Sequence, residues 1–146
     1  PRVRNMERTN ISDVTPGTLD PRPSLGVIDL SYLSLTVAVP IVANLLDEGR
    51  EREIIALVKP LFEVPAILPD LNEEQYYAAV CRALLAGIPA AMTPRAVMAS
   101  PVLGSGGTLE FLVWYTAGKE FARDLVLGQV KDAIDAGMDL LSKAQG

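Results

Sequence analysis

Apolar residues along this chain fall into short blocks with two different spacings, and the alternation of the two is the first guide to the fold. Leu25 to Leu30 and Glu53 to Val58 are brief apolar runs of the kind found in strands buried on both faces. Each is followed by a stretch with helical spacing. From about Ser34 to Glu48, apolar Val37, Ile41 and Leu45 recur every four residues, with Gly49 as a stop and Pro40 as a kink or an early-turn residue. Asn72 is a good helix N-cap with Glu73 and Glu74 in the first turn, which predicts a helix to about Leu85 that closes at Gly87. Pro60 ends the second strand, and Phe62 to Leu71 reads as a proline-containing loop.

Two more strands are predicted, Ala96 to Ser100 and Thr108 to Thr116, joined by the flexible Pro101 to Gly107 stretch as a hairpin. Phe121, Leu125, Val126, Val130, Ile134, Met138 and Leu141 then mark one long amphipathic helix from Lys119 to Lys143. A short segment, Val3 to Arg8, reads as a further strand before a turn-rich connection to Pro23. Strand, helix, strand, helix and hairpin together predict an α/β fold: a mostly parallel sheet with a closing antiparallel hairpin and a long C-terminal helix.

Composition narrows the chemistry. A chain of 146 residues with 49% apolar content suits one packed domain. Its net charge of -5 means that a grip on a phosphate backbone has to come largely from elsewhere. There is no histidine, which removes Ser-His-Asp and Cys-His nucleophiles and histidine zinc sites, and no metal is expected. The single cysteine, Cys81, rules out an internal disulfide and fits a reducing compartment; we read it as a small buried hydrophobe. The polar, arginine-rich start does not read as a secretory signal, and no apolar run reaches the ~18 residues of a membrane span. A cytoplasmic location is the corresponding expectation.

The polar residues that interrupt this pattern are few. Asp29 interrupts the first apolar run near its end, Lys59 follows the second, and Glu110 stands between Leu109 and Phe111. In open α/β sheets the ligand crevice lies beyond the carboxyl ends of the strands, so Asp29 and Lys59 belong in one crevice. With Glu110 they form a charged cluster able to hold and deprotonate a hydroxyl. No strand here runs into a glycine-rich turn and a helix; the one glycine cluster, Gly104-Ser105-Gly106-Gly107, precedes a strand instead.

Four ordered segments resemble a known family. Glu7-Arg8-Thr9-Asn10, Val27 to Leu35, Leu57-Val58-Lys59-Pro60-Leu61-Phe62-Glu63, and Ser100-Pro101-Val102 followed by Gly107 to Leu112 are similar to the second half of TlyA-type, haemolysin-named ribosomal RNA methyltransferases. The resemblance runs from about Arg4 to Tyr115. It implies a partial Rossmann-like, FtsJ-like, S-adenosylmethionine-dependent methyltransferase fold over residues 1–118. Residues 119–146 would form a C-terminal amphipathic helix packed on that domain or on a partner.

By the same resemblance the parent protein would methylate the ribose 2′-hydroxyl of ribosomal RNA, with Asp29, Lys59 and Glu110 as three members of a Lys-Asp-Lys-Glu set. Asn10 and Asp29 would lie near the cofactor. The set's first lysine, the S4-type RNA-binding domain and the cofactor-binding strand would precede Pro1, so this chain alone is expected to be an incomplete or inactive fragment. A ribose hydroxyl is a poor nucleophile near neutrality, and lysine is a residue whose proton affinity responds strongly to its surroundings, which suits Lys59 to accept or guide the hydroxyl proton.

Where the family usually has Lys-Pro-Gln-Phe-Glu, this chain has Leu61 in place of the glutamine, and a short apolar stretch, Val64 to Pro69, follows. These departures keep a second reading open, a non-catalytic interaction module derived from a methyltransferase. A third reading, a membrane-active haemolysin, has no spanning segment or basic amphipathic helix to support it. A sheet without its cofactor-binding strand would leave an apolar edge, so a homodimer through that edge or through the last helix is expected.

Overall fold

The computed structural model describes residues 3–64, 71–118 and 120–145. Residues 65–70 of the anticipated Phe62–Leu71 loop, and Lys119, lie outside them; Phe62 and Glu63 belong to a helical turn instead, and the last helix begins at Arg123. Four strands form one sheet: β1 (Leu25–Ile28), β2 (Glu53–Val58), β3 (Met92–Ala99) and β4 (Phe111–Ala117), in spatial order β1-β2-β4-β3. β1 pairs with β2 in parallel, while β4 runs antiparallel to both β2 and β3. Three strands therefore point one way and β4 alone is reversed. The return strand of the hairpin inserts between β2 and β3, leaving β1 and β3 as the edges.

Four helices complete the fold: α1 (Leu35–Leu45), the single turn α2 (Pro60–Glu63), α3 (Glu73–Leu85) and α4 (Arg123–Gln145). α1, α3 and α4 pack on one face of the sheet. Their Leu35, Ala38, Val39, Val80, Ala83, Val126, Val130 and Ile134 join Ile28, Ile54, Ala56, Val58, Phe111, Val113 and Tyr115 in a single core. Gly26 lets α1 come close to β1, since a β-carbon there would collide with Val42. α4 lies along the edge strand β3, where Gln129 accepts a hydrogen bond from the Val97 amide.

Three local expectations need correction. Val3 to Arg8 is not a strand: it contains a turn, and Arg8 sits at φ 55°, a left-handed conformation that breaks extended pairing. α1 does not bury the Val37–Ile41–Leu45 row as a unit; Val37 is exposed and Ile41 half-buried, while Leu35, Ala38 and Val39 face the sheet. That helix is apolar nearly all round, so periodicity alone cannot choose its inner side. β3 begins at Met92, four residues before its predicted start, because Pro94 is tolerated on an edge strand beside the irregular register between Pro94 and Ala96.

Candidate functional site

The strand directions gather the candidate residues at one end of the sheet. β1 and β2 both end there, so Asp29 and Lys59 emerge side by side. Because β4 is reversed and Val58 pairs with Phe111, Glu110 enters the sheet at the rung next to Lys59. The connection from β3 also returns at this end, where the Ser100 amide donates to the Glu110 carbonyl at 2.9 Å.

Lys59 is the best-defined member. Its Nζ lies 2.6 Å from Asp29 Oδ1 and donates to Ser31 Oγ at 3.0 Å. The Lys59 side chain is 18% exposed against 65% for Asp29, so the pair has a sheltered cation and an open carboxylate. An ion pair with one partner this open contributes only about 0–1 kcal/mol to stability. Its value is directional: of the three ammonium N–H groups, two are committed and one remains for a ligand oxygen.

A cavity of about 310 Å³ opens beside this group. Ser31, Lys59, Ser105, Thr108 and Glu110 supply polar groups to its wall, and Pro60, Leu61, Phe62, Leu71 and Leu109 supply apolar surface. Such a mixture suits a ligand with a polar edge and an apolar face. Glu110 is half-buried and folds back over Gly104, where any β-carbon would run into its carboxylate. Gly104 thus makes room for Glu110, while Gly106 and Gly107 take positive φ in the turn that follows.

Asn10 is placed elsewhere. Its side chain caps the short turn Ile11–Asp13, accepting from the Ser12 amide at 3.1 Å, and it is not among the residues lining the cavity. Two groups that the sequence did not single out support the Lys59 cluster. Ser31 holds Lys59, and Glu63, only 3% exposed, accepts from Ser34 Oγ at 2.6 Å and from the Leu35 amide at 2.8 Å. No local feature of the sequence marks the Glu63 carboxylate as turned inward, because its partners lie 28 and 29 residues away.

The methyl donor S-adenosylmethionine, which methyltransferases use in general, does not find a complete cradle among the described residues. The turn from β1 into α1 lacks glycine, and the amides at the start of α1 are already occupied: Leu35 donates to Glu63 and Thr36 to Ser34. A helix start engaged in this way is not available to an anionic group. Asp29 follows the edge strand β1, with its side chain 65% exposed.

Comparison with known proteins gives a consistent picture. The 16S/23S rRNA (cytidine-2'-O)-methyltransferase TlyA of Mycobacterium tuberculosis is 34% identical over 123 residues, covering 78% of this chain and 44% of that protein. YqxC of Bacillus subtilis, provisionally named an rRNA methyltransferase, is 30% identical over 128 residues, covering 82% of this chain and 45% of that protein. The chain therefore spans less than half the length of these curated relatives.

Among solved structures, a provisionally named hemolysin from Streptococcus thermophilus superposes with a TM-score of 0.87, over 99% of this chain and 53% of that one, at 23% identity. A second, from Lactococcus lactis, gives 0.78 over 90% of this chain and 64% of that one, also at 23% identity. These two establish a shared fold. No family model matches the chain.

Proposed function

Given that this chain is a homologue of the TlyA-type ribosomal RNA methyltransferases, we propose that it supplies the acceptor-side residues of a ribose 2′-O-methyltransferase acting on ribosomal RNA. One observation carries the reading. Lys59 is held against Asp29 and Ser31 at the mouth of a cavity that also receives Glu110, all delivered by adjacent strand ends. The remaining N–H of Lys59 is suited to hold a ribose 2′-oxygen, while the hydroxyl proton passes to a neighbouring carboxylate or to water as the oxygen takes the methyl group. Asp29 orients that group, and Glu110, on the wall of the same cavity, adds negative charge nearby. The apolar side of the cavity, with Phe62 and Leu109, offers surface to the attached base.

On this proposal the cradle for S-adenosylmethionine and most of the grip on RNA come from polypeptide outside the described residues. The net charge of -5 is consistent with that division of labour. The place of action is the cytoplasm, where ribosomal RNA is found. No helix among the described residues is long and apolar enough to cross a membrane. Alone, the chain is expected to be inactive in methyl transfer and to self-associate through its open sheet edge.

The test uses the polypeptide extended to the length of its curated relatives, with ribosomal subunits and labelled S-adenosylmethionine. Lys59→Ala is expected to cut the rate of methyl incorporation by about 10²-fold or more, the usual weight of a positioned acid–base group. Asp29→Asn and Glu110→Gln are expected to give smaller losses. Full activity in Lys59→Ala would remove the assignment. A second reading, a non-catalytic module, is favoured by the incomplete cofactor cradle and by Leu61; it predicts no Lys59-dependent incorporation even in the extended protein.

A further inference from the structure

Two arms of chain bring Lys59 and its partners together, and each arm is anchored four or five residues beyond its functional group. One arm runs from Lys59 through α2 to Glu63, the other from Asp29 through Ser31 to Ser34 and Leu35. At the near end the arms meet through Lys59, Asp29 and Ser31. At the far end they meet through the buried carboxylate of Glu63 on Ser34 Oγ and the Leu35 amide. The result is a ring closed by noncovalent contacts at both ends.

The two closures are unequal. The near one is open to water, and exposed ion pairs hold geometry weakly. The far one is a carboxylate that is 3% exposed and accepts two hydrogen bonds, one from the first amide of α1, where the helix dipole favours negative charge. Ser34 is further engaged: its Oγ also accepts from the Thr36 amide at 3.2 Å and lies 2.9 Å from Thr36 Oγ1. On the other arm, the α2 turn is short and stiff. Pro60 fixes its first residue, the Phe62 amide bonds to the Lys59 carbonyl at 2.9 Å, and the Val64 amide bonds to the Pro60 carbonyl at 3.2 Å. A displacement of Glu63 is therefore transmitted to Lys59 with little slack.

We infer that Glu63 is a positioning residue, holding Lys59 against Asp29 and Ser31 by fastening the turn after β2 to the start of α1. The functional consequence rests on the acceptor-side reading above; the positional one does not. Glu63 touches neither the cavity nor a ligand position, and it acts only through Lys59.

The experiment follows the Lys59 side-chain ammonium by ¹⁵N–¹H correlation in the whole 146-residue chain, which has four lysines. Lys131 and Lys143, both exposed, serve as internal references. In the wild type the Lys59 ammonium protons are expected to exchange with water more slowly than those of the references. Glu63→Ala should speed that exchange by about tenfold, the weight of the Lys59 hydrogen bond whose geometry is no longer held. Glu63→Gln, which keeps an acceptor for the Leu35 amide and an amide donor for Ser34 Oγ, should restore slow exchange.

Should Glu63→Ala fail to fold, Ser34→Ala decides, because it removes one of the two bonds and leaves the other; a partial speeding is expected. A folded Glu63→Ala or Ser34→Ala protein with the Lys59 signal unchanged would overturn the inference. In the extended enzyme, Glu63→Ala should lower kcat with the KM for RNA unchanged, and Glu63→Gln should recover it. If Lys59→Ala leaves methyl transfer intact while the ammonium signal still responds to Glu63, the acceptor-side reading fails and the positioning role stands.

Discussion

Tyr115 carries its hydroxyl into the core, where it donates to the Ala83 carbonyl of α3. Burial raises its proton affinity far above the ordinary phenol value of about 10, and the negative charge of Glu63 adds to the shift. The unfolded chain gives up this proton more easily than the folded one, so the contribution is intact below about pH 10 and is lost as pH rises beyond it. Stability measured by urea unfolding should therefore fall on the alkaline side. Tyr115→Phe should flatten that fall and cost about 1 kcal/mol at neutral pH. An unchanged alkaline limb in the variant would contradict the account. Asp29, Lys59 and Glu110 were legible in the sequence because each interrupts or ends an apolar run. Glu63 was not, since a lone acid in a short turn looks like any solvated one until its distant partners Ser34 and Leu35 are known.

Helix ends carry much of the local specification. α3 has a full capping box: Asn72 accepts from the Gln75 amide and the Gln75 side chain accepts from the Asn72 amide, both at 2.9 Å. Asn72→Ala is expected to cost about 1 kcal/mol, read as a drop of about 2–4 °C in Tm. α1 is held at both ends by opposite charges, Glu63 at its start and Arg22 at its finish. The Arg22 guanidinium donates to the carbonyls of Asn44, Leu45 and Leu46. Cationic donors at a helix C-terminus complement the dipole, so Arg22→Ala should destabilise by about 1 kcal/mol in the same assay, and a neutral result would show that water replaces it. The α3 cap could be read from Asn72 and the acidic first turn alone. The Arg22 cap could not, because it spans more than twenty residues of sequence. Likewise Pro94 hid half of β3, since only the finished sheet shows that strand to be an edge.

Among the described residues, all three long helices lie on one side of the sheet. The opposite side carries a row of residues in register, Val27, Ile55, Trp114 and Ala96, flanked by Leu25 and Met98. Val27 is 72% exposed, Met98 54% and Trp114 40%, so this side is apolar and bare. Sheets with parallel strands are ordinarily covered on both faces, and an uncovered apolar face beside the open edge of β1 promotes association. The isolated chain should therefore show concentration-dependent association in sedimentation velocity, reduced by Val27→Lys; a monodisperse monomer at all concentrations would contradict this. The order of the elements from Leu25 onward was legible in the sequence. The bare face was not, because alternation in β1 and β2 is masked when both sides of a strand are apolar.

On the proposed function, the Lys59 cluster serves a ribose hydroxyl. The most direct measurement is the chemical position of the methyl group that the extended protein places on ribosomal RNA. A 2′-O-methyl group blocks alkaline cleavage at its own phosphodiester, so partial alkaline hydrolysis after the reaction reads the position. The account predicts a newly alkali-resistant linkage with the wild type and none with Lys59→Ala. Methylation on a base, with every linkage still alkali-sensitive, would contradict it.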